Sequence, residues 1–421
     1  MKVRVATAPL SWIQWLFLGL LAIGFLLPSD GDHGLLSPKG LALLALLYGM
    51  AIAFLVGVPI RSHALIPLGA ALVGFLLLSW LVALRQGFLP SQLDQLKLLT
   101  ITLVVPLVGS WLAEEDSSFP ERCFQIAIAA NFFYNCVKVI AFWLQWSGYL
   151  EPLYLLQNSG VRLITMEIGG GFIRLQTSLD LATGYLLHFA LYHRRLAFWL
   201  PGFFLPLYLL LALFSLFLSF SRYLMAVALL VLLAAALLRS TGSSRWLTLA
   251  LSLGLLLAFV FSSEGDWFYK VVDRRLFSQE NYESDQMRLV QAEALCAEAE
   301  QSPFFGKGVG SYAIDCIRDP QLPHSYEVQW AALGMQLGLV GLACLSIGGL
   351  LIALPLVTHS WDGFRLTTLG FYLLFLLSGW TNPYLLSLLS GLLYFLFYLA
   401  GVRAMTRQAP EKIIRPRALG I

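Results

Sequence analysis

Apolar runs long enough to cross a bilayer recur along this whole chain, and they leave few folds open. The sequence predicts helical spans at 11–28, 40–59, 64–84, 96–113, 123–146, 178–192, 196–220, 223–239, 246–262, 326–355, 365–380 and 384–402. A helix needs about 20 apolar residues to cross a hydrocarbon core of about 30 Å. Of the 421 residues, 58% are hydrophobic and 12% are charged, whereas a soluble domain carries roughly a quarter charged residues. The short segments of alternating polarity that build a membrane barrel are absent. The predicted fold class is an all-α polytopic membrane protein of about twelve transmembrane helices. One large loop with short amphipathic helices completes it. The first run has no small-residue cleavage site and reads as a retained span.

Basic residues flanking short connections set the orientation. Lys2, Arg4, Arg61, Arg194, Arg195, Arg239 and Arg365 fall on one side together with the basic tail, which places both termini in the cytoplasm. Residues 1–262 then form helices one to nine, with an outer loop at 147–177. Residues 263–325 are the large outer loop, 326–402 hold helices ten to twelve, and 403–421 are a basic cytoplasmic tail. In a bacterial inner membrane that large loop is periplasmic.

Segment 263–325 is the one long hydrophilic stretch. Ser284-Asp-Gln-Met-Arg288 opens an amphipathic segment that stops at Pro303, Gly306-Lys-Gly308-Val-Gly310 makes a turn, and Pro323-His324-Ser325 leads back into an apolar run. Cys296 and Cys316 lie here in an oxidising compartment. A disulfide between them would close about twenty residues and add roughly 3 kcal/mol; the alternative is two free thiols.

Ionisable groups at membrane depth mark function more often than chance. Arg222 stands between two apolar runs with almost no loop, where the bland alternative is a turn arginine snorkelling to the interface. Arg174 follows Gly169-Gly170-Gly171, a run that lets backbone approach a ligand, and precedes a helix start that offers free N–H groups to an anion. Arg288 lies on the amphipathic segment, and Lys97 stands at a span entrance near Arg85 and Asp94. Guanidiniums clamp a diphosphate through paired donors, so arginines converging on the outer leaflet describe a pyrophosphate site. His324 could serve as general base for a hydroxyl nucleophile, with Glu327 as the alternative base or as the group that orients the imidazole. Nothing in this arrangement calls for a metal or a cofactor, and no residue spacing suited to a metal is present.

In four places the chain resembles the bacterial O-antigen ligase and polymerase superfamily. Gly171-Phe-Ile-Arg174 through Ala182 is similar to the family's arginine stretch, and Ser221-Arg222 to its Ser-Arg pair. Arg288 through Gly310 is similar to its arginine, helix and Pro-x-x-Gly-x-Gly turn. His324 through Gly341 resembles its closing His and Gly-x-x-Gly helix. Ser325 stands where the family commonly has Asn, Gln336 where it has an acid, and the His-to-Gly spacing is about one turn longer. The resemblance implies an inverting, metal-independent GT-C glycosyltransferase. Its donor would be a polysaccharide on undecaprenyl pyrophosphate. Its acceptor would be a sugar hydroxyl of lipid A–core in a ligase, or another lipid-linked unit in a polymerase. Arg174, Arg222, Arg288 and Lys97 would hold the pyrophosphate, and His324 or Glu327 the acceptor hydroxyl. The competing class, a transporter or flippase of lipid-linked sugars, would place its cations near mid-membrane and on both sides; no nucleic-acid partner is indicated.

Overall fold

A computed structural model describes residues 8–28, 37–55, 65–87, 90–148, 164–169, 172–238, 279–317, 320, 322–358, 362–380 and 382–406. Among them are twelve α-helices and one two-stranded hairpin. They run α1 Ala8–Leu26, α2 Pro38–Leu55, α3 Leu65–Ala83, α4 Pro90–Glu115, α5 Phe119–Trp146, β1 Ile164–Gly169, β2 Phe172–Gln176, α6 Leu179–Leu191 and α7 Phe204–Leu218. The order continues with α8 Arg222–Leu238, α9 Gln279–Glu300, α10 Gln329–Val357, α11 Gly363–Leu377 and α12 Leu388–Thr406. Helices occupy each predicted apolar segment except 246–262, which lies outside the described residues. Helices α4, α5, α10 and α12 are long and apolar enough to cross a membrane.

The central packing partner is α12, which lies against α4, α10, α11 and α1. Leu392, Leu393, Phe395, Leu396 and Phe397 on it are all fully buried. Small residues permit the close approach, as in membrane bundles generally: a Cβ on Gly109 of α4 would overlap the Phe395 ring. A second layer is made by α5, α6, α7 and α8, with Phe124, Tyr185, Phe189 and Tyr208 in a common core.

Three boundaries differ from expectation, each for a local reason. Helix α4 begins at Pro90, six residues before the predicted 96, because Pro suits the first helical position; Asp94 and Lys97 thus sit inside it. Pro201-Gly202 delays α7 until Phe204. The predicted span 326–355 begins at Gln329 and is interrupted at Gly338, whose φ of 63° is left-handed. The break leaves Met335 and Gln336 carbonyls and Leu339 and Val340 amides without their helical partners. The turn at residues 303–308 supplies them. Lys307 and Gly308 amides donate to Met335 O (2.8 Å) and Gln336 O (2.9 Å), while Leu339 and Val340 amides donate to Pro303 O (2.8 Å) and Phe304 O (3.0 Å). Before the break the helix is buried at Ala332, Leu333, Met335 and Gln336; beyond it Leu339, Ile347, Leu350 and Leu354 are exposed as an apolar stripe.

The hairpin was not anticipated. Its antiparallel register pairs Thr165 with Leu175, Met166 with Arg174 and Glu167 with Ile173. Of the glycine run read as a ligand approach, Gly169 ends β1, and Gly170 and Gly171 lie outside the described residues.

Candidate active site

One end of the bundle gathers the candidate residues: there α3, α5, α7 and α11 finish, and α4, α6, α8, α10 and α12 begin. Helix α7 is joined to α8 by Ser219-Phe220-Ser221, and Phe220 takes a left-handed φ of 46°. A bulky residue holds that conformation only when its surroundings fix it. Phe220 is buried on Leu218 and packed by Val139, Phe142 and Phe217. The tight turn places Arg222 as the first residue of α8.

Opposite it, Asp285 on α9 accepts from Arg222 at 3.5 Å and from Arg288, one helical turn along, at 2.5 Å. Arg288 Nε also donates to Glu327 Oε2 at 2.7 Å. Glu327, just before α10, is further fixed because its backbone amide donates to Gln291 Oε1 at 3.3 Å. Three separate elements are thus threaded on one line of alternating charge: α8, α9 and the approach to α10. The predicted Arg222, Arg288 and Glu327 do come together. Asp285 was missed as a partner, although its i, i+3 spacing from Arg288 on an amphipathic helix was a sufficient signal.

Arg174 lies on β2. Its Nε donates to Ser219 O at 2.9 Å, at the C-terminal end of α7, and its guanidinium also bonds Gln176 Oε1. A helix C-terminus favours a cation. Gln176 Nε2 in turn donates to the Tyr384 hydroxyl at 2.8 Å, in the connection from α11 to α12. Arg174 and Arg222 are therefore tied to the two ends of one four-residue turn.

Lys97 pairs with Asp94 at 2.6 Å on α4, and Asp94 lies within electrostatic reach of His324. His324 is buried, and its Nδ1 has no hydrogen-bond partner among the described residues. Burial pushes the imidazole down to about 4, with the Asp94 carboxylate opposing. The ring is neutral at pH 7, as a general base must be. Neighbouring Tyr326 accepts from the Ala313 amide at 2.8 Å, which fixes the approach to α10.

Cys296 and Cys316 are free thiols rather than a disulfide. Cys296 is exposed on α9, whereas Cys316 packs against the buried cluster of Leu295, Ala313, Tyr326, Ala332 and Met335. Among the described residues, no three His, Cys, Asp or Glu side chains come together as a metal site.

A protein-family model described as O-antigen ligase matches residues 207–346. That stretch is similar to the O-antigen ligase family. The matched stretch runs from α7 into α10 and contains Arg222, Asp285, Arg288, His324, Glu327, the glycine turn and Gly338. Arg174 and Lys97 lie on elements that precede it. No curated protein matches the chain. The match supports an O-antigen ligase- or polymerase-type function.

Proposed function

We propose that this protein is an O-antigen ligase, transferring a polysaccharide from undecaprenyl pyrophosphate to a sugar hydroxyl of lipid A–core at the periplasmic face of the bacterial inner membrane. The observation that carries this reading is the meeting of Arg222 and Arg288 on the single carboxylate of Asp285. Two guanidiniums converging on one anion form a place that a diphosphate, with its greater charge, would contest. Arg174 and Lys97 add cations at the same end of the bundle. An apolar cavity of about 120 Å³ between α4, α10 and α12, lined by Leu103, Pro106, Trp330, Leu333 and Tyr394, supports a polyprenyl tail entering from the membrane.

In this mechanism the acceptor hydroxyl attacks the anomeric carbon from the face opposite the pyrophosphate, inverting it. The glycosidic C–O bond to phosphate breaks, and undecaprenyl pyrophosphate leaves with the electron pair. The arginines neutralise the charge that develops there. The hydroxyl proton passes to neutral His324. Glu327 is the poorer base, because its carboxylate is held by Arg288. Its role is to orient that guanidinium.

The test is transfer by purified protein from an undecaprenyl-pyrophosphate-linked glycan. Product on lipid A–core that disappears in Arg288→Ala supports the ligase. Longer glycan from donor alone means a polymerase. No product, together with donor crossing between leaflets in liposomes, overturns the enzyme in favour of a transporter.

A further inference from the structure

Beneath Arg174 lies a buried ion pair with no direct part in the transfer described above. Lys138 in the second half of α5 places Nζ 2.6 Å from Asp180 Oδ1, with side chains 2% and 0% exposed. Asp180 also accepts from the Tyr134 hydroxyl at 2.8 Å, and its Oδ2 accepts from the Thr177 amide at 2.9 Å. Both carboxylate oxygens are thereby engaged. Lys138 donates in addition to Ser215 O at 2.8 Å, one turn before the Ser219 carbonyl that receives Arg174. The last two turns of α7 thus hold Lys138 and Arg174 on carbonyls of one face.

A buried ion pair is a weak source of stability, since desolvation offsets the attraction. The reason for this one lies in its neighbour. Asp180 follows Arg174 by six residues, and the charge of Arg174 is felt at Lys138. An Asp180 carboxylate deprived of Lys138 would turn to the next cation, which is Arg174. We propose that Lys138 sequesters Asp180 and so keeps Arg174 on Ser219 O and Gln176 Oε1, in the register that the anion site uses. Lys138 and Asp180 are positioning residues. The inference rests on the reading of Arg174 as a pyrophosphate ligand.

The experiment compares Lys138→Met, Asp180→Asn and the double variant in the full chain, measuring KM for lipid-linked donor and for acceptor and amide exchange over residues 172–177. Lys138→Met is expected to raise donor KM about tenfold with acceptor KM unchanged, and the double variant to recover most of that loss. A double variant whose donor KM is no better than that of Lys138→Met overturns the proposal. So does an unchanged donor KM in Lys138→Met. If wild type does not use the donor at all, the pyrophosphate reading fails on its own. Exchange over 172–177, raised in Lys138→Met and restored in the double variant, then still decides the positioning role. Should Lys138→Met not fold, Tyr134→Phe removes one bond to Asp180 without burying a charge. It is expected to raise donor KM about threefold, and an unchanged value overturns the proposal.

Discussion

Gly306 and Gly338 meet backbone to backbone. A Cβ on Gly306 would overlap the Gln336 carbonyl, and one on Gly338 would overlap the Phe304 carbonyl and the Gly306 amide. Both are in the left-handed region, at φ 71° and 63°. Gly338→Ala therefore meets strain and a clash with main chain that cannot move aside. It is expected to cost about 3 kcal/mol or more, read as a lowered Tm in detergent. Gly370→Ala on α11, where the space is open, should leave Tm unchanged or slightly raised. Equal melting of the two variants would refute the junction's importance.

Arg288 bridges Asp285 and Glu327, whereas Arg222 reaches Asp285 at the longer distance of 3.5 Å. Arg288→Ala should lower kcat about 100-fold or more, in line with removal of a charge-stabilising donor. Glu327→Gln should retain more than about a tenth of the activity, because a Gln oxygen still accepts from Arg288. Steady-state transfer assays decide, and a dead Glu327→Gln beside an active His324→Gln would reverse the assignment of the base.

His324 sets a pH dependence of definite sign. Its folded value of about 4 lies below the ordinary 6.5, so between those values the unfolded chain binds more protons and stability falls as pH falls. The His324 contribution is fully present above about pH 6.5 and is lost towards pH 4. Activity that needs neutral imidazole should keep its acid limb near 4 rather than 6.5. His324→Gln should remove that limb and flatten the stability profile; a wild-type limb near 6.5 would count against the burial described.

Cys296 is exposed and Cys316 half-buried with its thiol pushed up by burial. Both should react with a maleimide without prior reduction, Cys296 first, since the thiolate is the nucleophile. An impermeant reagent should reach Cys296 from the periplasm only, and mass spectrometry of labelled spheroplasts reads both rate and side. A linked Cys296–Cys316 peptide would overturn the free-thiol state.

Much of the helical frame was legible in the residues, because a run of about 20 apolar residues has one economical solution in lipid. Arg222, Arg288 and Glu327 were legible for the related reason that charges beside such runs need partners. What was not legible was set from a distance. Gly338 sits in a smoothly apolar run, and only the turn at 303–308 makes a break there tolerable. The Lys138–Asp180 pair joins two helices, and a lone Lys within the predicted span 123–146 gives no hint of which carboxylate it will meet. The hairpin had a local signal in Ile164-Thr-Met-Glu-Ile and Phe172-Ile-Arg-Leu-Gln, but the intervening glycines read equally well as a ligand loop.

The glycine turn has one more consequence. Cβ atoms on Gly308 and Gly310 would overlap Ala83 at the end of α3 and Gln92 at the start of α4, while Gly306 seats on α10. The corner between α3 and α4 is thus completed by residues synthesised long after it, and α10 is synthesised later still. Such distant pairings are slow to form. During biogenesis the first four helices must wait in the membrane with this corner unfilled until the segment that carries Arg288 and His324 arrives. A chain stalled before α10 would hold the charged residues of the site but no seat for them, so activity is conferred only on a chain synthesised nearly to its end.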